Sequence, residues 1–147
     1  MPIRSLILLI IFSTKVYSQE IPIITITAPS KKPQSISTVG TSVTILDEKF
    51  LSNSNEHFLG DVLSTTTTSV NFFQSGGHGT ASAIQLRGMP KRYSTVFIDG
   101  VKMSDPSSVS NDFDFNNILT SQVSRVEILK GNQSSIYGSG AIGGTIH

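Results

Sequence analysis

At 147 residues the chain is the size of one compact domain, and 37% apolar against 14% charged residues exclude both a highly charged disordered polymer and two full domains. The absence of cysteine excludes a disulfide framework, thiolate metal sites and a cysteine nucleophile. A formal charge of +1, with Lys31-Lys32 and Lys91-Arg92 as isolated pairs rather than a clustered basic face, argues against a nucleic-acid binder.

The chain opens with Arg4, an unbroken apolar run from Leu6 to Phe12 and a more polar stretch from Ser13 to Ser18, the outline of a secretory signal peptide. The run is far shorter than the roughly 20 residues a membrane-spanning helix needs. Cleavage is expected between Ser18 and Gln19, after Val16-Tyr17-Ser18. Removal of Arg4 and Lys15 with that peptide moves the formal charge from +1 to −1.

Residues 19–37 carry Pro22, Pro29 and Pro33, two lysines and several Ser and Thr, and read as an extended, flexible tether. Within it, Ile23-Ile24-Thr25-Ile26-Thr27 is a β-prone pentapeptide bounded by prolines. Such a segment is suited to adding an edge strand to a partner's sheet; the alternative is pairing within this protein's own sheet.

Globular structure is expected from residue 38 onward. Val43 and Ile45 alternate with Ser42 and Thr44 as in a half-buried strand, and Asp47 can cap a short helix through Leu51. A second helix is predicted from Asn55, with Phe58, Leu59, Val62 and Leu63 on one side, weakened by Gly60 and ended by Thr65 to Thr68. Val70 to Phe73 and Ala83 to Leu86 read as strands around the glycine-rich loop from Ser75 to Thr80. Asp99-Gly100 between Thr95–Ile98 and Val101–Met103 specifies a tight hairpin, because both central positions need positive φ.

Gln122 to Lys130 is a further alternating strand, with Val123, Arg125, Glu127 and Leu129 on one face. Arg and Glu on an otherwise apolar face point to a buried or interfacial charge pair. Tyr137 to Gly144 reads as a glycine-rich turn before a strand that begins at Thr145; a domain ending in mid-strand suggests a truncated chain. The pattern is α+β: a small mixed β-sheet with short helices and long loops.

Chemical motifs are few. Gly138-Ser139-Gly140-Ala141-Ile142-Gly143 matches the dinucleotide-binding letters, yet no helix or ribose-binding acid can follow it in the remaining four residues. His57, His78 and His147 have no zinc-ligand spacing. Asp112 and Asp114, with Asp105 nearby, could share a hard cation such as calcium, although solvated loop acids are the simpler account. No serine has a nucleophile-elbow context, so neither an enzyme nor a resident cofactor is expected.

In order, "GTSVTILDEKFL", "EHFLGDVLSTTTTSVNFFQSGG", "ASAIQLRG", "STVFIDGVKM" and "VSRVEILKGNQSSIYGSGAIGGTIH" resemble the plug domain of TonB-dependent outer-membrane receptors, most of all the cobalamin receptor group. The likeness runs from Ile23 to Ala28, in place of the TonB box, to the last residue. Two departures stand out: Thr66-Thr67 where the family usually has Pro-Gly, and Lys130 before Gly131 where it usually has Arg, which keeps the charge but loses bidentate geometry.

The resemblance implies a signal peptide over 1–18, a tether with TonB box over 19–37 and a plug domain over 38–147, the barrel being absent. It implies outer-membrane location in a Gram-negative bacterium, the plug facing the periplasm, and active uptake of a scarce nutrient of the cobalamin or iron-siderophore class. Ile23, Ile24, Thr25, Ile26 and Thr27 would pair with the C-terminal domain of TonB. Ser75, Gly76, Gly77, His78, Thr80, Ser82, Met103, Val109, Ser110 and Asn111 would form apical ligand loops. Arg87, Arg125, Glu127 and Lys130 would be the plug's charge contacts with its barrel.

Two other readings remain at this point. A complete small outer-membrane barrel would need about eight strands and aromatic girdles, but the chain has no Trp and only three Tyr. A stand-alone periplasmic binding module with a plug fold and no transport activity stays open; the gene beyond His147 distinguishes it from a receptor.

Overall fold

A computed structural model describes residues 25–27, 32–110 and 113–147. The expected signal peptide, Ile23 and Ile24 of the TonB-contacting segment, Asn111 and Asp112 lie outside the described residues.

In chain order, β1 (Thr25–Ile26) and β2 (Gln34–Ser35) make a short antiparallel pair, followed by a 3-10 turn at Ile36–Thr38. Then come β3 (Ser42–Leu46), α1 (Glu48–Ser52), α2 (Leu59–Thr66), β4 (Val70–Gln74) and β5 (Ser82–Leu86). The hairpin of β6 (Ser94–Ile98) and β7 (Val101–Met103) precedes β8 (Val126–Lys130), α3 (Ser134–Tyr137) and β9 (Gly144–Ile146).

The main sheet has five strands in the order β3-β8-β9-β6-β7, antiparallel except for the β6–β9 pair. Residues adjacent along a strand face opposite sides, so its register assigns two faces. On one, Leu46, Val126, Ile128, Ile146 and Val96 pack with Leu51 of α1, Leu59, Val62 and Leu63 of α2, and Val70, Ile84 and Leu86 of the β4–β5 hairpin. On the other, Phe97 packs with Tyr137 and Ala141. No helix among the described residues is long and apolar enough to cross a membrane.

Local signals account for several boundaries. Asp47 accepts a 2.8 Å hydrogen bond from the Phe50 amide and so caps α1. Asp99 and Gly100 have φ of 49° and 81°, the tight hairpin expected of that dipeptide. Gly144 is required by space as well as by its φ of 144°: an added Cβ would lie 2.3 Å from the carbonyl oxygen of Leu129.

Two predicted boundaries shift because tertiary hydrogen bonds override local pattern. The second helix begins at Leu59 rather than Asn55, since Phe58 bridges to Leu119 and the Leu59 amide donates to Ile118 O, holding that stretch extended. It ends at Thr66, within the Thr65 to Thr68 run expected to stop it, and Thr65 donates its hydroxyl to Asp61 O at 2.9 Å. The strand expected from Gln122 starts at Val126, where β3 first offers a partner in Leu46; Thr120–Gln122 is a 3-10 turn tied to His57 O. The stretch expected as one glycine-rich turn also contains the end of α3 and a 3-10 turn at Ser139–Ala141.

Candidate functional site

The charged residues of β8 sit at its two ends. Arg125 precedes the strand, Glu127 is its second residue and Lys130 its last; at about 3.3 Å per residue, Arg125 and Lys130 lie roughly 17 Å apart.

At the first end, Glu127 is buried on the face carrying Phe97 and Tyr137. Its register partners are Ile45 of β3 and His147, with which it exchanges backbone hydrogen bonds of 2.8 and 2.9 Å. A buried carboxylate is costly without partners, and Glu127 uses both oxygens. Oε1 accepts from Arg125 Nε at 2.9 Å and Oε2 from the Thr27 amide at 3.0 Å, across 100 positions of sequence. The ion pair anticipated from the alternating pattern is thus present, with a segment of the tether as the second partner.

His147 completes this end. Its ring stacks on Phe97 with centroids 4.6 Å apart and planes within 4°, and lies 5.0 Å from the Tyr137 ring. Burial pushes the imidazole down to about 4 despite the opposing pull of Glu127, so it is neutral at physiological pH. Burial, and then the Glu127 charge, raise the Tyr137 phenol. Together with Asp99 and Gly100 these residues line an open cleft of about 390 Å³. Sequence reading identified Arg125 and Glu127 but missed Phe97, Tyr137 and His147, whose grouping depends on the β6–β9–β8 register.

At the second end, Arg87 reaches Gly131, the residue after Lys130: a Cβ there would lie 3.2 Å from Arg87 Nη1. Arg87 is exposed, its backbone in the left-handed region at φ 55°. Among the described residues, neither cation has a carboxylate within ion-pair distance.

The predicted loop residues divide by environment. Ser75 and Ala81 close the β4–β5 loop with a 3.0 Å backbone bond, and Thr80 returns to Gly77 O. Gly76 and Gly77 are exposed at its tip, and the His78 ring stacks on Phe58 at 4.5 Å. Ser82 donates to Asp114 and accepts from the Phe115 amide at 2.9 Å, fastening this hairpin to the 113–116 segment. In the second loop, Val109 is fully exposed, the Ser110 amide donates to Ser108 Oγ at 3.3 Å, and Met103 packs against the main core. Ser75 and Ser82 line a shallow cleft with Gln74, Ala83 and Lys91, to which the second loop contributes no described residue.

The loop acids have local partners. Asp105 accepts from the hydroxyl and amide of Ser107, which lower its carboxyl. Burial works against the Asp114 carboxylate, but hydrogen bonds from Ser82 and Asn116 outweigh it and hold the group below its usual range. No cluster of three potential metal ligands occurs among the described residues.

The small mixed sheet thus carries the Thr27 amide on Glu127 at one end and, at the other, two cations with no carboxylate in ion-pair distance among the described residues. The family model described as "TonB-dependent Receptor Plug Domain" matches residues 35–145, and the chain belongs to that family. Among curated relatives, the vitamin B12 transporter BtuB of Photobacterium profundum is 36% identical over 73 residues, which is 50% of this chain and 12% of the transporter. Among solved structures, the siderophore receptor PirA of Pseudomonas aeruginosa is 28% identical with TM-score 0.53, over 71% of this chain and 17% of the receptor. The ferric yersiniabactin uptake receptor FyuA of Yersinia pestis is 28% identical with TM-score 0.51, over 72% and 16%. The chain therefore spans only a small fraction of the length of these relatives.

Proposed function

We propose that this chain is the plug of an outer-membrane receptor that takes up a scarce nutrient of the cobalamin or ferric-siderophore class with energy delivered by TonB, and that it is not an enzyme. The observation that carries the reading is the family match over residues 35–145. The ligand class follows from relatives described as a vitamin B12 transporter and as siderophore receptors. In this reading residues 1–18 are a signal peptide, 19–37 the tether and 38–147 the plug, located at the outer membrane of a Gram-negative bacterium and facing the periplasm.

Arg87 and Lys130 then meet carboxylates of the barrel wall, which supplies the counter-charges they lack among the described residues. Arg125 and Glu127 belong to the same contact set but are already paired with one another. Ligand arrives at the 75–82 and 103–111 loops, the first of which is tied to the 113–116 segment by the Ser82–Asp114 hydrogen bond.

TonB engages Ile23 to Thr27 by strand addition, with backbone hydrogen bonds supplying affinity. Ile24→Pro and Ile26→Pro each fix φ, and each removes a backbone donor. Calorimetric titration with the TonB C-terminal domain should show binding by the unmodified chain and none by either variant. Equal affinities for all three would rule out this mode of contact.

A further inference from the structure

We propose that Glu127 is a latch that docks the tether on the plug, so that a strand-adding partner must compete with its carboxylate for the Thr27 amide. The inference rests on the reading of Ile23 to Thr27 as the TonB-contacting segment, and it adds what holds that segment before TonB arrives.

Three features of the fold carry it. Glu127 is only 7% exposed, on a strand whose neighbours Val126, Ile128 and Leu129 are all buried apolar residues. An ionised group there requires hydrogen-bond partners. Arg125 satisfies one oxygen, and the other takes the amide of Thr27. Second, Thr25 and Ile26 pair with Ser35 and Gln34, so the same short segment is engaged by β2 and by Glu127 together. Third, Thr27 lines the cleft formed by Phe97, Asp99, Tyr137 and His147, which places the docked segment against the second face of the main sheet.

The consequence is a two-state tether. Docked, the Thr27 amide donates to a carboxylate, a stronger bond than a neutral pair makes. Undocked, it is free to donate to a partner's strand. Apparent affinity for that partner is reduced by the fraction of chains that are undocked. Loss of a bond worth about 1.4 kcal/mol corresponds to a factor of about 10 in that fraction.

The test measures hydrogen exchange at the Thr27 amide by NMR in the 147-residue chain and in Glu127→Ala. Exchange at Thr27 should be about tenfold faster in the variant while the Val96 and Ile128 amides keep their protection. Unchanged exchange at Thr27 in a folded variant overturns the latch. Should Glu127→Ala fail to fold, acid titration of the unmodified chain decides. The Thr27 amide proton shift must follow the side-chain carboxyl carbon of Glu127, with the shifts of His147, Tyr137, Arg125 and Asp99 recorded alongside; independent behaviour overturns the latch. Calorimetry with the TonB C-terminal domain separates the two readings. About tenfold tighter binding by Glu127→Ala supports competition, equal affinity overturns it, and no binding by either chain contradicts the TonB reading alone, leaving the exchange rates to decide the latch.

Discussion

Gly60 lies directly against the ring of Phe72: a Cβ built at position 60 would stand 2.5 Å from Phe72 Cε2. The glycine that weakens α2 by local propensity is therefore what lets the helix approach β4. Gly60→Ala gains about 1 kcal/mol of helix propensity but forces the ring out of a packed interface, which typically costs about 1–3 kcal/mol. The expected net effect is destabilisation by up to about 2 kcal/mol in a denaturant melt. A stabilised variant would show that Phe72 moves aside freely.

Asp47 caps α1 from an exposed position, with its carboxylate on the Phe50 amide. Asp47→Ala should lower stability by about 1 kcal/mol, and Asp47→Ser should restore most of it, because Ser also accepts from that amide. Equal loss in both variants would indicate that the charge rather than the cap matters.

The difference between these two sites is also the difference between what could and could not be read in the sequence. Asp47 and Asp99-Gly100 act on residues within three positions, so their chemistry was visible before the fold. Phe58 resembled a helix residue and is held extended by Leu119, and Gln122 to Ser124 carry strand-like residues with no strand beside them. The Arg125–Glu127 pair was legible as a charged alternation, whereas the contact of Glu127 with Thr27 joins residues 100 positions apart and depends on where the tether returns. His147, unremarkable as a lone histidine, acquires its environment from Phe97 and Tyr137 on two other elements.

That environment predicts an acid-side loss of stability. Folding depresses the His147 pKa from 6.5 to about 4, so between those values the unfolded chain binds more protons and stability falls as pH is lowered. With the ring partly exposed, the step should amount to about 2 kcal/mol rather than the full value of the shift. Chemical melts from pH 7 to 4 should show it, and His147→Gln should remove it. An unchanged slope in that variant would assign the acid sensitivity to other groups.

Arg87 and Lys130 offer the opposite combination, little effect alone and a large one in context. Exchanging both for Gln should leave the stability of the 147-residue chain within about 0.5 kcal/mol, since Arg87 is exposed and neither has an acidic partner among the described residues. In the whole receptor the same exchange should weaken the seating of the plug, read as earlier release of the domain on heating. Equal release temperatures would remove these residues from the plug–barrel contact.

In the proposed receptor, residues 38–147 close the pore of the barrel. Single-channel conductance in planar bilayers tests this most directly, comparing the whole receptor with a version lacking those residues. A closed or nearly closed protein is expected when the domain is present, and large, stable channels when it is removed. The same low conductance from both, with the barrel shown to be folded and inserted, would contradict it.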